Sequence, residues 1–245
     1  METTDRVRSL PLLVGIVDRP AETLSQVARS PRWRWLWPTA LLVASIVIYF
    51  AVAAPYLQQE ARRAAALQLE ALPADQMAAA QASMERFMSL PFILVSSILS
   101  ALAGTVISWV IAAGILYFSS LLAGEDLDFG RTFAIIPWTW LPFALRGFVQ
   151  AAWVAWRGEL IAAPGLSGLV ATGDRLQDAR SLSFALLSQI DLFALWHLIL
   201  IYAGLRGLAR MRAGKAAWLT AAYAVINLAV RLIPVLIGRA FMPGA

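Results

Sequence analysis

The sequence predicts an all-α polytopic membrane protein: five transmembrane helices preceded by a short amphipathic N-terminal helix. Three observations carry that prediction. Hydrophobic residues make up 60% of the 245 positions and charged residues only 14%, against about 25% charged in a soluble domain. The mean hydropathy is +0.69. The apolar residues also gather into five runs, each near or above the ~20 residues that cross ~30 Å of hydrocarbon.

The chain divides into a cytoplasmic amphipathic or interfacial segment, residues 1–35, and a membrane domain, residues 36–245. In the first, Asp18-Arg19-Pro20 reads as a helix start with Pro at the first helical position. Ala21, Leu24, Val27 and Ala28 then share one face, and Ser30-Pro31 ends the helix, which is expected to lie along the membrane surface. Trp33, Trp35 and Trp37, interleaved with Arg32 and Arg34, suit the headgroup level, where ring and cation are both satisfied. No small-residue cleavage site follows the first apolar run, so it reads as a retained helix.

The predicted spans are residues 36–54, 90–122, 132–153, 188–207 and 216–238. The second is overlong and is expected to tilt or to extend beyond the bilayer. With the N-terminus inside, the inner segments carry 11 basic residues and the longer outer segments 7. That asymmetry places the N-terminus in the cytoplasm and the C-terminus outside.

Two outer connections exceed a turn. Residues 57–88 are rich in Ala, Gln, Glu and Arg, with Pro73 separating two helical patterns. Met77, Met84, Phe87 and Met88 form a stripe that reads as a packing face, with an adaptable binding surface as the alternative. The connection 157–187 holds the turn signals Ala163-Pro164-Gly165 and Thr172-Gly173-Asp174.

Composition excludes several functions. A net charge of +5 and a pI near 10.2 arise from arginines scattered among apolar runs, not from a basic face, so no nucleic-acid partner is expected. Topology signals and contacts with anionic lipid headgroups explain the charge instead. With no cysteine and one histidine, no metal and no cofactor are expected. The acids Glu125, Asp126 and Asp128 read as a solvated turn.

Two constellations stand out. Ser96, Ser100, Gly104, Ser108 and Ala112 recur at every fourth position of the second span, a small-residue ridge on which another helix can pack closely. The partner is expected within the same chain, with a homo-oligomer as the alternative. The second is ionic. At 1.5 Å per residue, Arg146, Arg231 and Asp191 fall at depths of ~21, ~22 and ~25 Å from the inner face, all in the outer third of the bilayer. Gln150 and Asn227 lie one turn from Arg146 and Arg231. Asp191 is therefore expected to pair with Arg146, Arg231 or both, as packing glue or as the lining of a polar cavity.

His197 lies on a different face from Asp191 and reads as a hydrogen-bonded helix residue. Gly165-Leu166-Ser167-Gly168 resembles the serine motif of rhomboid intramembrane proteases. Ser167, however, falls in a Pro- and Gly-rich connection while His197 sits mid-span, so no catalytic pair is expected.

Over residues 10–238 the chain resembles the Yip-domain membrane proteins, named as Ypt/Rab-interacting proteins, in their bacterial branch. The resemblance rests on Arg19-Pro20 and Leu24 ahead of Trp33 to Pro38, on Gly124 with Phe129, Phe133 and Leu141-Pro142, and on Leu192-Phe193-Ala194-Leu195-Trp196 running to Gly204-Leu205. It implies a Yip-domain-like bundle of five spans. Eukaryotic members are tied to Rab GTPases and vesicle traffic, but this chain lacks their Asp-Leu-Tyr-Gly-Pro entry. Its Arg-rich, Lys-poor composition points to a bacterial inner membrane. The resemblance implies no enzymatic activity. It implies a scaffold or accessory subunit in membrane organisation, trafficking or export, with an ATP-binding-cassette exporter as one kind of partner. The rival reading is a small transporter, channel or lipid-handling protein built on the Arg/Asp site.

Overall fold

A computed structural model describes residues 9–29, 32–70, 84–125, 128–208 and 211–241, together with the single positions 73, 77 and 81. Arg210, Asp126, the tip of the acidic link and most of the segment around Pro73 lie outside the described residues. All regular structure among the described residues is helical. In chain order the helices are α1 (Ser9–Asp18), α2 (Pro20–Arg29), α3 (Leu36–Glu70), α4 (Leu90–Leu122), α5 (Phe129–Thr139), α6 (Leu141–Arg157), α7 (Arg175–Arg180), α8 (Leu182–Leu187), α9 (Leu192–Leu208) and α10 (Ala213–Phe241). Short 3-10 turns occupy Arg32–Trp35 and Gly165–Leu169.

Three of these helices are long and apolar enough to cross a membrane: Leu36–Ala66, Leu90–Leu122 and Ala213–Ile233. Two of the five predicted spans come out differently. The stretch 132–153 is not one helix but two, α5 and α6, parted at Trp140. The cause is chemical: Pro142 has no N–H to offer the carbonyl four residues back, at Trp138. The Trp140 N–H bonds the Pro137 carbonyl at 3.2 Å in a tightened last turn, and Trp140 sits at φ −92°, ψ −1°. The fourth run forms α9, a helix of only 17 residues, about 25 Å long. Residues 188–191 are turn and cap, because the Asp191 side chain takes the Ala194 N–H at 2.7 Å and ends the helix there.

The chain forms two compact units, Met1–Leu41 with Ile107–Phe143 and Ala162–Ala245, and Leu42–Val106 with Ala144–Ile161. In the first, α2 lies against α9 and α5. The face expected to meet the membrane surface is covered by protein: Leu24 and Val27 are buried with Leu12, Ile16, Ile135, Trp138, Leu200 and Ala203. Two glycines allow the approach. A Cβ at Gly207 would collide with the Ala21 carbonyl, and one at Gly204 would meet Ile135 at 2.9 Å and Leu24 at 3.5 Å. Leu24, Leu141, Trp196 and Gly204, four residues that carry the Yip-domain resemblance, thus belong to one core.

In the second unit the close crossing is between α3 and α6. Ser45 is 1% exposed, and a Cβ at Gly147 would meet its Oγ at 2.9 Å. Ala53, Ala54, Ala144 and Ala151 are buried as well, so small side chains set the spacing.

Candidate functional site

Polar chemistry inside the first unit concentrates on His197, and the break at Trp140 is what makes room for it. In an unbroken helix the Phe143 N–H would bond the Thr139 carbonyl; here it bonds the Trp140 carbonyl at 2.9 Å. The Thr139 carbonyl oxygen is thereby released, and the His197 Nδ1 reaches it from α9 at 2.7 Å. The other ring nitrogen, Nε2, lies 2.9 Å from the Tyr223 hydroxyl on α10. A carbonyl only accepts, so Nδ1 carries the proton and Nε2 accepts from the tyrosine O–H.

The surroundings hold the ring in place. His197 is 5% exposed and Tyr223 1%. Trp140 packs edge-on at 6.0 Å between centroids, Phe143 lies at 5.0 Å, and Trp109 stands edge-on to Trp140 at 6.1 Å. The arrangement ties α5, α9 and α10 together through one imidazole. It runs from a hydroxyl to a backbone carbonyl, which cannot pass a proton on, so it braces helices and offers no relay.

The residues expected to form an ionic site are placed as follows. Asp191 caps α9, accepting from Ala194. Arg231 on α10 donates from Nε to Asn227 Oδ1 at 2.8 Å and from Nη1 to Gln189 Oε1 at 3.3 Å. The expected Asn227–Arg231 neighbours therefore do meet, joined by Gln189, which the sequence had not singled out. Arg146 and Gln150 lie one turn apart on α6, in the second unit.

Along the α4 ridge, Ala112 is buried and Ser96 and Ser108 are partly covered, while Ser100 and Gly104 are exposed. A Cβ at Gly104 would meet nothing within 4 Å. The close crossing lies instead at Ser45 and Gly147, a pair too far apart in sequence to show as a ridge.

Ser167 is buried, and its hydroxyl donates to the Pro164 carbonyl at 2.6 Å. Gly165, at φ +61°, faces the carbonyls of Leu187, Ser188 and Ile190, so the connection folds back on the start of α9. Nearby, Asp178 accepts from the Thr172 N–H at 2.8 Å and its hydroxyl at 2.9 Å. Those bonds, the backbone one foremost, hold the Asp178 carboxyl below its ordinary value of 3.8. In the acidic link, Asp128 caps α5 through the Arg131 N–H. Glu125 binds Lys215 Nζ at 2.7 Å, which sets the end of α4 beside the start of α10. Among the described residues no group of His, Cys, Asp or Glu is arranged to hold a metal.

A family model described as the Yip1 domain matches residues 14–233, most of the chain. No curated protein and no solved structure matches it. The match contains α2, the broken stretch 129–157 and α9, the elements that build the histidine brace and the core beneath it.

Proposed function

Because the chain belongs to the Yip1 domain family, we propose that it is a non-enzymatic scaffold or accessory subunit in membrane organisation, trafficking or export. It would sit in a bacterial inner membrane with its N-terminus cytoplasmic. The observation that carries this reading is the closed Tyr223–His197–Thr139 chain. The one imidazole of the protein is engaged between helices by both ring nitrogens, which favours a packing role. Long helices with exposed apolar faces, such as Val95, Leu99, Val106, Val110 and Phe118 along α4, suit contacts with lipid and with other spans. The partners proposed are anionic lipids, another membrane protein such as an exporter, and a further copy of the chain.

Affinity capture from native membranes in mild detergent tests the proposal, with proteins and lipids identified by mass spectrometry. A stoichiometric membrane partner, recovered again when the tag is moved onto that partner, supports it. Absence of any partner, with solute flux in proteoliposomes that is lost on Arg231→Ala, would replace it with the transporter reading.

A further inference from the structure

We infer that the outer part of α3 holds the headgroup of an anionic glycerophospholipid, clasped by Arg62 and Arg63 with Gln59 and Gln58 beside them. A shallow, wide-open groove of about 460 Å³ is lined by Pro55, Gln58, Gln59, Arg62, Arg63 and Ala66, all but Gln58 exposed. Those positions follow the spacing of one helix face, so a single stretch of α3 presents the whole set. The lining holds two guanidinium groups, two amides and no carboxylate.

The depth matches a headgroup. Counted from Leu36, the first residue of α3, ~20 residues cross the ~30 Å of hydrocarbon and bring the chain out near Pro55. Arg62 then lies ~10 Å farther along the axis. Side chains on a helix lean toward its N-terminus, here toward the bilayer, which returns the guanidinium to the headgroup layer.

Aromatic residues of the same unit mark this level independently. The Tyr56 hydroxyl would lie 3.6 Å from a Cβ at Gly158. Beside it, Trp153 and Trp156 stack under Arg157 at 5.6 and 5.9 Å. Such belts form where bilayer meets water.

Within the groove the residues divide the work. Gln58 is anchored, its Nε2 donating to the Met88 carbonyl at 2.7 Å. Arg63 touches Glu60 at 3.3 Å and shares its charge with that acid. Arg62 is the principal phosphate contact, since planar guanidinium matches a phosphodiester with two parallel hydrogen bonds. Arg157 is already occupied by Glu159 at 3.2 Å and lies outside the groove. The inference deepens the lipid partner of the proposed function and requires only that α3 crosses a bilayer; loss of lipid with the protein partner still captured separates its failure from that of the scaffold reading.

The test uses the full chain in nanodiscs of phosphatidylcholine with or without phosphatidylglycerol, with retained lipid counted by native mass spectrometry. Arg62→Gln with Arg63→Gln is expected to lower phosphatidylglycerol retention about tenfold, and Arg62→Lys with Arg63→Lys to keep most of it. Inorganic phosphate is expected not to displace the lipid; displacement would make the site one for a free anion and overturn the inference. Equal retention by the glutamine variant would overturn it too. In wild-type protein, arginine-selective phenylglyoxal should modify Arg62 more slowly when phosphatidylglycerol is present. An unchanged rate at Arg62 contradicts the site even if the double variant fails to fold.

Discussion

The Nδ1 of His197 lies 2.7 Å from the carbonyl oxygen of Thr139, a backbone group freed only because the helix breaks one residue later. The break and the histidine explain each other. A bare carbonyl inside an apolar bundle is costly, and so is an unpartnered imidazole; together they satisfy both demands and fasten α9 to α5.

Replacing the histidine should therefore expose two deficits at once. His197→Ala is expected to destabilise the protein by about 1–3 kcal/mol, because the Thr139 carbonyl and the Tyr223 hydroxyl both lose their partner. Tyr223→Phe should cost less, about 0.6 kcal/mol, a usual value for one interhelical bond in a membrane. Reversible unfolding in mixed micelles with increasing denaturing detergent measures both. A Tyr223→Phe variant as stable as wild type would show that the tyrosine bond carries none of the brace.

Gly207 lets the α2 backbone touch α9, and a Cβ there would run into the Ala21 carbonyl. Gly207→Ala is expected to cost about 1–3 kcal/mol by overpacking. It should also speed tryptic cleavage after Arg29, the exposed arginine at the C-terminal end of α2. Unaltered cleavage rates would show that α2 does not depend on that contact.

Asp191 accepts the Ala194 N–H as the cap of α9. Asparagine caps as well as aspartate, so Asp191→Asn should stay within about 0.5 kcal/mol of wild type, while Asp191→Ala should lose about 1 kcal/mol. A loss of several kcal/mol in the asparagine variant would instead reveal a buried ion pair of the kind the sequence suggests. Thermal unfolding of the three proteins decides between them.

The parts legible in the sequence are those written in local pattern. The bounds of α4, Leu90–Leu122, follow from an uninterrupted apolar run, and the start of α2 from Asp18-Arg19-Pro20. The division at Trp140 was also written, in Pro137 and Pro142, but the surrounding Trp, Leu and Phe make the stretch look like one span. Asp191 shows the limit of reading helix bounds from apolar runs: the run suggests a start at 188, while the Asp191 cap sets the start of α9 at 192. The His197 partners could not be read at all. One is a backbone carbonyl 58 positions away, and the other a tyrosine that only the packing of α10 brings within 2.9 Å.

Acid should loosen the connection between α6 and α9. Hydrogen bonds from Thr172 lower the Asp178 carboxyl in the folded chain relative to the unfolded one. The stability it contributes is therefore present above the ordinary carboxylate value and is lost as pH falls through the lowered one. Amide exchange at Thr172, compared with a neighbouring exposed amide, should show its protection fading only below the ordinary value of 3.8. Protection lost at higher pH would contradict the bond.

The most direct measurement is nitrogen NMR of protein labelled at histidine, since the chain contains one histidine and the signal needs no assignment. A brace between the Thr139 carbonyl and the Tyr223 hydroxyl requires the proton on Nδ1 and a bare, hydrogen-bond-accepting Nε2. A single Nδ1–H tautomer, shifted at Nε2 by Tyr223→Phe, is the expected result. A proton on Nε2 with Nδ1 bare would set two acceptors against each other at 2.7 Å and would contradict the brace.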